Sequence, residues 1–420
     1  MAKIKVKGGN KISGTITLLG NKNSALKLLP ASLIADTPTT FTNVPAIRDV
    51  DVMLKLIESL GAKVKREGSN TVTIDPSTLG TWVLDPELTG KIRASVVLAA
   101  PLLAKFGKAI ITPPGGDQIG QRLLTTHFTM MEHFGVVVKK INGKYELTWN
   151  KTPKEVDIFL EEASVTATEM GIIMAAAKNM QTKISDAASE PHVRDLCDYL
   201  GKCGAMIDGG GTNIITIKGG KLKGVSHKVI SDHIEAGTFA IAAAITGGDL
   251  LIKDIVQEDY RMMLGYFRDM GVKYKFVGKD SLRILPSKLI PVKNKFQTRP
   301  WPGFPTDLMS PFIVLATQAK GTVLCHDWMY EWRMFFVDDL LSMGANIFIA
   351  DPHRVIINGG KRLEARKDLV SKDIRAGVSI ILAALTAKGT SIIDNIEMVE
   401  RGYQNLEERL NKLGAELKRI

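Results

Sequence analysis

The segment Thr112-Pro-Pro-Gly-Gly-Asp-Gln-Ile-Gly-Gln-Arg122 carries one carboxylate, Asp117, and one guanidinium, Arg122. Two prolines and three glycines keep its backbone out of regular structure. An acid and a fixed cation on such a loop suit a mobile lid over an anionic substrate. The chain continues as Leu123-Leu124-Thr125-Thr126-His127. Other polar groups recur at one kind of place, just ahead of apolar runs: Asn21-Lys22-Asn23, Arg93, Ser164-Val165-Thr166, Asp232 with Glu235, Thr306-Asp307 and Asp373-Ile374-Arg375. Helix N-termini offer free N–H groups and a partial positive charge, so they hold anions. Capping accounts for Asn23, Ser164, Thr306 and Asp373. It does not account for Lys22, Arg93 or Arg375, because a cation at a helix N-terminus opposes the dipole. Those three placements call for a bound anion or an internal carboxylate.

The elements that must position these groups repeat. Leu60-Gly61-Ala62, Phe134-Gly135-Val136, Cys203-Gly204-Ala205, Met270-Gly271-Val272, Met343-Gly344-Ala345 and Leu413-Gly414-Ala415 each close an amphipathic stretch, at glycine spacings of 67 to 74 residues. In the first, Val50, Met53, Leu54, Ile57 and Leu60 fall at helical spacing, and glycine supplies the left-handed residue that ends a helix. A second kind of helix is apolar all round, as in residues 94–100, 170–177, 238–244, 312–316 and 378–385, and must be buried on every side. Each unit therefore reads strand, buried helix, strand, exposed helix, strand pair. Six units make two bodies of three.

Composition narrows the partners. The chain has 420 residues, 45% hydrophobic and 24% charged, which suits two or three globular domains. Residues 1–19 alternate Lys with Ile and Val, which reads as an edge-like strand and not as a signal peptide. No apolar run approaches the roughly 20 residues that span a bilayer. The three cysteines, Cys197, Cys203 and Cys325, have no CxxC spacing, and the seven histidines are dispersed. Neither a disulfide framework nor a metal site is supported, and a reduced, cytoplasmic protein is expected. The charge of +11 comes from scattered lysines without aromatic interleaving, so no nucleic acid partner is expected.

The landmarks together resemble the MurA-type UDP-N-acetylglucosamine 1-carboxyvinyltransferase family, within the enolpyruvyl transferase superfamily that also holds EPSP synthase. They are Gly20-Asn-Lys-Asn-Ser-Ala25, Ile92-Arg-Ala-Ser95, Pro114-Gly-Gly-Asp-Gln-Ile-Gly120 with Arg122 and His127, Phe304-Pro-Thr-Asp307, Glu331-Trp-Arg333, Asp373-Ile-Arg-Ala376 and Arg401-Gly-Tyr403. The resemblance covers essentially the whole chain. It implies an inside-out α/β barrel of two domains, each built from three βαβαββ-type repeats, with the active site between them. It divides the chain into 22–229, carrying the catalytic loop 112–122, and 1–21 plus 230–420.

The implied reaction moves the enolpyruvyl group of phosphoenolpyruvate to the 3-hydroxyl of UDP-N-acetylglucosamine, with release of phosphate and no cofactor. By resemblance, Asp307 is the base for the sugar hydroxyl and Asp117 the acid toward C3 of the enol. Lys22, Arg122 and Arg401 clamp the phosphate, while Arg333 and Arg375 hold the carboxylate. Asn23 and Glu190 support the site. Arg93, Arg122, Leu123, Leu124, Thr125, Thr126, His127, Ser164, Val165, Thr166 and Asp307 match the surface that holds the UDP-sugar. Guanidinium forks suit both anions because each binds two oxygens at once.

The sequence departs from the family pattern in a few places. Asp117 stands where the usual loop residue is cysteine, Thr125 where an aspartate is usual, and Thr166 where glycine is usual. Glu161-Glu162 put two acids near the expected diphosphate. These changes fall on the UDP-sugar side and spare the phosphoenolpyruvate clamp. Transfer to another hydroxyl acceptor and a catalytically silent UDP-sugar-binding paralogue remain alternatives. An epoxide such as fosfomycin, which in this family is opened by the loop thiolate, is expected to leave Asp117 unmodified.

Overall fold

A computed structural model describes residues 2–117 and 119–420. Its described residues form six small sheets with one shared plan. In the sheet around Thr322–His326, Lys295–Gln297 runs parallel to that strand, while Arg354–Asn358 and Ile347–Asp351 follow antiparallel. The parallel pair Glu155–Phe159 and Gln181–Ser185 is continued in the same way by Ile214–Lys218 and Met206–Asp208. One sheet has three strands, with Lys108–Ile111 at its edge. Its missing parallel partner is reduced to a single bridge from Val83 to Ile110.

The plan follows from two kinds of helix. Lys22–Ala31, Ala99–Phe106, Val165–Ala176, His233–Thr246, Met309–Gln318 and Ile374–Thr386 each lead into the strand that has the parallel neighbour or bridge, and they are nearly all buried. They bury Ala, Ile, Leu and Val on every side, so truncating one such Leu or Ile to Ala costs about 2–5 kcal/mol. Small residues allow close approach: a Cβ on Gly377 would sit 2.1 Å from the Ser371 hydroxyl. The stretch after Ile92 is less regular than an unbroken helix, with a 3-10 segment Arg93–Leu98 before Ala99–Phe106. The second kind of helix is two-faced. Arg48–Ser59 turns Val50, Met53, Leu54, Leu56 and Ile57 inward. All six closing glycines, from Gly61 to Gly414, have positive φ, which is why glycine recurs there.

The chain start is two strands and not one edge strand. Ile4–Lys7 lies between Thr390–Asp394 and Glu416–Arg419, and Gly14–Thr17 pairs with Leu250–Lys253. The Lys alternation reflects one face in water, with Ile4 and Val6 buried and Lys5 and Lys7 exposed.

Two compact units result. One comprises Met1–Leu19, Gln118–Gln121 and Ser231–Ile420; the other comprises Gly20–Asp117 and Arg122–Ile230. Each has its own core around three of the buried helices.

Candidate active site

In the unit containing Ser231–Ile420, Asp307 is the middle residue of the short turn Thr306–Leu308 before helix Met309–Gln318, where two arginines converge on it. Arg333 Nη2 donates to Asp307 Oδ1 at 3.1 Å and Arg375 Nη2 to Oδ2 at 2.9 Å. Both guanidiniums are almost fully buried, whereas the Asp307 side chain keeps 27% of its surface. Arg375 Nη1 donates to the Tyr403 hydroxyl at 3.0 Å, and that hydroxyl meets Thr238 Oγ1 at 2.8 Å. Burial works against a charged Arg375. The carboxylate of Asp307 leads the groups that outweigh burial and hold its pKa above the usual arginine value. Arg333 is held up in the same way, against burial, by Asp307, Asp373 and Asp327. Arg333 Nε is buried without a hydrogen-bond partner, so this buried cation retains an unused donor.

Local chemistry explains the placement. The Asp373 side chain accepts from the amides of Arg375 and Ala376 and caps helix Ile374–Thr386, which fixes Arg375 in the first turn. Thr306 does not cap. Its hydroxyl bonds to Asp327, which also accepts from Thr298 Oγ1 and from the amides of Met329 and Tyr330. Asp327 thereby ties the turn carrying Asp307 to the segment leading to Arg333. Asp232 caps helix His233–Thr246, and Glu235 takes Arg409 and the Leu19 amide, so these two acids serve structure. Arg401, half-buried, ends the 3-10 segment Ile396–Arg401, two residues before Tyr403.

The end of the Gly-rich segment belongs to the same unit. The Gln121 amide donates to Glu331 Oε1 at 2.9 Å, and the Trp332 amide to the Ile119 carbonyl at 3.1 Å. Gly120 sits at φ +145°, and a Cβ there would lie 2.3 Å from Glu331 Oε2. Gln118 lies outside the described residues.

The unit containing Gly20–Asp117 gathers a second set. Asn21, not Asn23, caps helix Lys22–Ala31 by accepting from the Ser24 amide. Lys22 Nζ pairs with the buried Asp49 at 2.8 Å, an internal carboxylate of the kind its position demands. Ser164 precedes helix Val165–Ala176 without a side-chain cap bond. Arg93 Nη2 donates to the Leu123 carbonyl at 3.1 Å, and a Cβ on Gly116 would touch Arg93 Cβ at 2.9 Å. His127 Nε2 meets Thr166 Oγ1 at 2.6 Å, and Thr126 Oγ1 donates to Glu162 at 2.8 Å. Burial, then the charges of Arg93 and Arg122, push His127 down to about 3, so it stays neutral. Arg93, Gly116 beside Asp117, Arg122, Leu123, His127 and Thr166 therefore form one group. Leu124 is buried in the core, Leu123 and Thr125 are exposed, and Asn23, Val165, Glu190 and Asp117 are half-buried.

Sequence reasoning missed Lys27, Glu169 and His192. Lys27 Nζ lies 3.4 Å from Glu169 Oε2 and donates to the Asn23 carbonyl at 3.1 Å, and His192 Nε2 is 3.8 Å from Glu169 Oε1. For Lys27 and Glu169 the available signal was a charge inside a largely apolar helical run; His192, on a two-faced helix with Arg194, Asp195, Asp198 and Lys202, carried none. Among the described residues no His, Cys, Asp or Glu group could hold a metal ion, and no helix is long and apolar enough to cross a membrane. Cys197, Cys203 and Cys325 are buried free thiols.

Residues 6–410 match the family model described as EPSP synthase (3-phosphoshikimate 1-carboxyvinyltransferase). The chain belongs to the EPSP synthase family. Within it, the UDP-N-acetylglucosamine 1-carboxyvinyltransferase of Treponema denticola is 42% identical, over 98% of this chain and 98% of its own length. That of Bradyrhizobium diazoefficiens is 43% identical, over 99% and 97%. Solved family structures share the fold. The enolpyruvyl transferase NikO from Streptomyces tendae superposes with a TM-score of 0.90 at 24% identity, covering 100% of this chain and 99% of its own. An EPSP synthase from Acinetobacter baumannii gives 0.75 at 19% identity, covering both chains fully. The protein therefore has the α/β architecture of six repeats, three to a body, that is shared by these transferases.

Proposed function

We propose that the protein transfers the enolpyruvyl group of phosphoenolpyruvate to the 3-hydroxyl of UDP-N-acetylglucosamine, with release of phosphate. This is the first committed step of peptidoglycan precursor synthesis, and it would place the protein in the cytoplasm. The names of the full-length relatives support the reaction. The observation that carries the site is Asp307 held between Arg333 and Arg375, with Arg333 Nε still unused.

The chemistry assigns each group a task. In phosphoenolpyruvate, C3 takes a proton, C2 becomes electrophilic, and the sugar oxygen attacks C2. Asp117 is the acid toward C3. Asp307 takes the hydroxyl proton as the new C–O bond forms. Loss of a C3 proton and of phosphate then restores the double bond. Arg333 and Arg375 bind the substrate carboxylate, which replaces Asp307 as their partner and frees it to act as base. Lys22, Arg122 and Arg401 bind the phosphate, and Asn23 and Glu190 support them. Arg93, Arg122 to His127 and Ser164 to Thr166 take the UDP-sugar. Residues 22–229 would form one functional domain and 1–21 with 230–420 the other. No metal or organic cofactor is needed, because the cations neutralise both anions.

A second reading, transfer to a different hydroxyl acceptor, draws on Glu162, which accepts from Thr126 on the expected diphosphate side. The test is mass measurement of the nucleotide after incubation with phosphoenolpyruvate and UDP-N-acetylglucosamine. A product heavier by one enolpyruvyl group is expected. An unchanged nucleotide alongside a modified alternative acceptor would favour the second reading.

A further inference from the structure

Three helices meet at a buried charge cluster one turn beneath the candidate site residues of their unit. Lys27 follows Asn23 by one turn on helix Lys22–Ala31, and Glu169 follows Val165 by one turn on helix Val165–Ala176. His192 lies in the first turn of helix Pro191–Cys203, two residues after Glu190. Glu169 is fully buried, and neither of its oxygens has a hydrogen-bond partner. Its contact with Lys27 at 3.4 Å is an ion pair without an aligned hydrogen bond, whereas Lys27 does donate to the Asn23 carbonyl. A buried carboxylate with no aligned donor is costly, and proton uptake is its ordinary escape.

We propose that Glu169 is a positioning residue for the anionic substrate: through Lys27 it holds Asn23, and by gaining or losing a proton it sets the charge beneath the N-termini of helices Lys22–Ala31 and Val165–Ala176. The proposal rests on the reading that Lys22 and Asn23 handle phosphoenolpyruvate. Four titratable side chains surround Glu169: Lys27 on one neighbouring helix, and Glu190, His192 and Cys197 at the start of or along another. Burial pushes the Cys197 thiol up to about 12, with Asp198 and Glu169 adding to it, so this thiol stays protonated. Burial pushes Glu169 up to about 7, Lys27 opposes that, and Glu190 adds to it. With Glu169 ionised, the charge of Lys27 is matched. With Glu169 protonated, Lys27 is left positive one turn below Asn23, and an incoming anion is favoured. Substrate binding and proton uptake at Glu169 are therefore linked.

The experiment is an infrared titration of the full chain from about pH 5.5 to about pH 9, comparing wild type with Glu169→Gln, with and without phosphoenolpyruvate. The expected result is a buried carboxylic-acid band in the wild type that disappears with a midpoint of about 7 and is absent from Glu169→Gln. Phosphoenolpyruvate should move that midpoint upward. In turnover, the wild-type KM for phosphoenolpyruvate should climb relative to Glu169→Gln, by about tenfold one pH unit above the midpoint if only the protonated form binds. The kcat profiles should run parallel. The double variant Lys27→Met/Glu169→Gln leaves no unpaired charge buried; it should show a raised, pH-insensitive KM. A band that survives in Glu169→Gln, a midpoint that ignores phosphoenolpyruvate, or the same KM profile in both forms would overturn the proposal. If no acceptor supports turnover, the functional reading fails, while the infrared midpoint with and without phosphoenolpyruvate still decides the role of Glu169.

Discussion

Asp307 and Arg375 meet at 2.9 Å, carboxylate Oδ2 to guanidinium Nη2, while the other oxygen of the same carboxylate takes Arg333 at 3.1 Å. One acid thus occupies two buried cations whose forks suit a second carboxylate. In the proposed mechanism the substrate carboxylate displaces Asp307 from both, and only then is Asp307 available as a base.

Asp307→Asn should separate these two jobs. The amide keeps the shape and loses the base, so kcat should fall by about 10²–10⁴. Binding of phosphoenolpyruvate should be retained or tightened, because Arg333 and Arg375 lose their internal carboxylate. Calorimetry and single-turnover kinetics read the two quantities. A variant with near-normal kcat would remove Asp307 from the chemistry.

Gly120→Ala should damage the loop while sparing the fold. Gly120 has φ +145°, and a new Cβ would lie 2.3 Å from Glu331 Oε2. Strain of about 1–3 kcal/mol is expected locally, with Tm nearly unchanged and kcat reduced. Adding Glu331→Ala removes the clash and leaves only the strained φ, so part of the activity should return. No recovery in the double variant would show that the contact with Glu331 is not the obstacle.

The repeat was legible in the sequence because helix-ending glycines and all-apolar runs are local signals. Gly61 and its five counterparts announced positive φ, and Val378 to Leu385 announced a helix with no wet face. Contacts between distant charges left no such trace. Lys27 and Glu169 each look like a stray charge in a largely apolar helical run until the fold pairs them. Asp327 follows the strand Thr322–His326 without any motif, yet it organises Thr306 and Tyr330 beside the two arginines. The cap at Asn21 was misplaced to Asn23 because capping depends on where the first helical turn begins, which a run of three polar residues does not reveal.

His127 should make the protein acid-sensitive. Burial, with the charges of Arg93 and Arg122, depresses its pKa in the fold to about 3, against about 6.5 for an ordinary histidine. Between those values an unfolded chain binds the proton and the folded chain does not. The stability linked to His127 is therefore present above about 6.5 and is lost as pH falls toward about 3. His127→Gln, which keeps a partner for Thr166, should lose less stability on acidification than wild type. Denaturation midpoints at about pH 7 and about pH 4 measure this; equal losses in the two proteins would exclude His127 as the source.

Asp117 should confer resistance to fosfomycin. A carboxylate is a weak nucleophile toward an epoxide compared with a thiolate. The protein's own thiols cannot substitute: Cys325 and Cys197 are buried and pushed up, Cys197 to about 12, and Cys203 is also raised by burial. Asp117→Cys should retain turnover and gain time-dependent inactivation with a covalent adduct. An adduct on the wild-type protein, or none on an active Asp117→Cys variant, would defeat this prediction.

The most direct test of the account is phosphate release from phosphoenolpyruvate by the purified chain, followed with UDP-N-acetylglucosamine, UDP-glucose, shikimate 3-phosphate or no acceptor. Continuous release is expected only with UDP-N-acetylglucosamine, undiminished by EDTA and slowed by about 10²–10⁴ in Asp307→Asn. Release with another acceptor but not with UDP-N-acetylglucosamine, or no release with any of them, would contradict it.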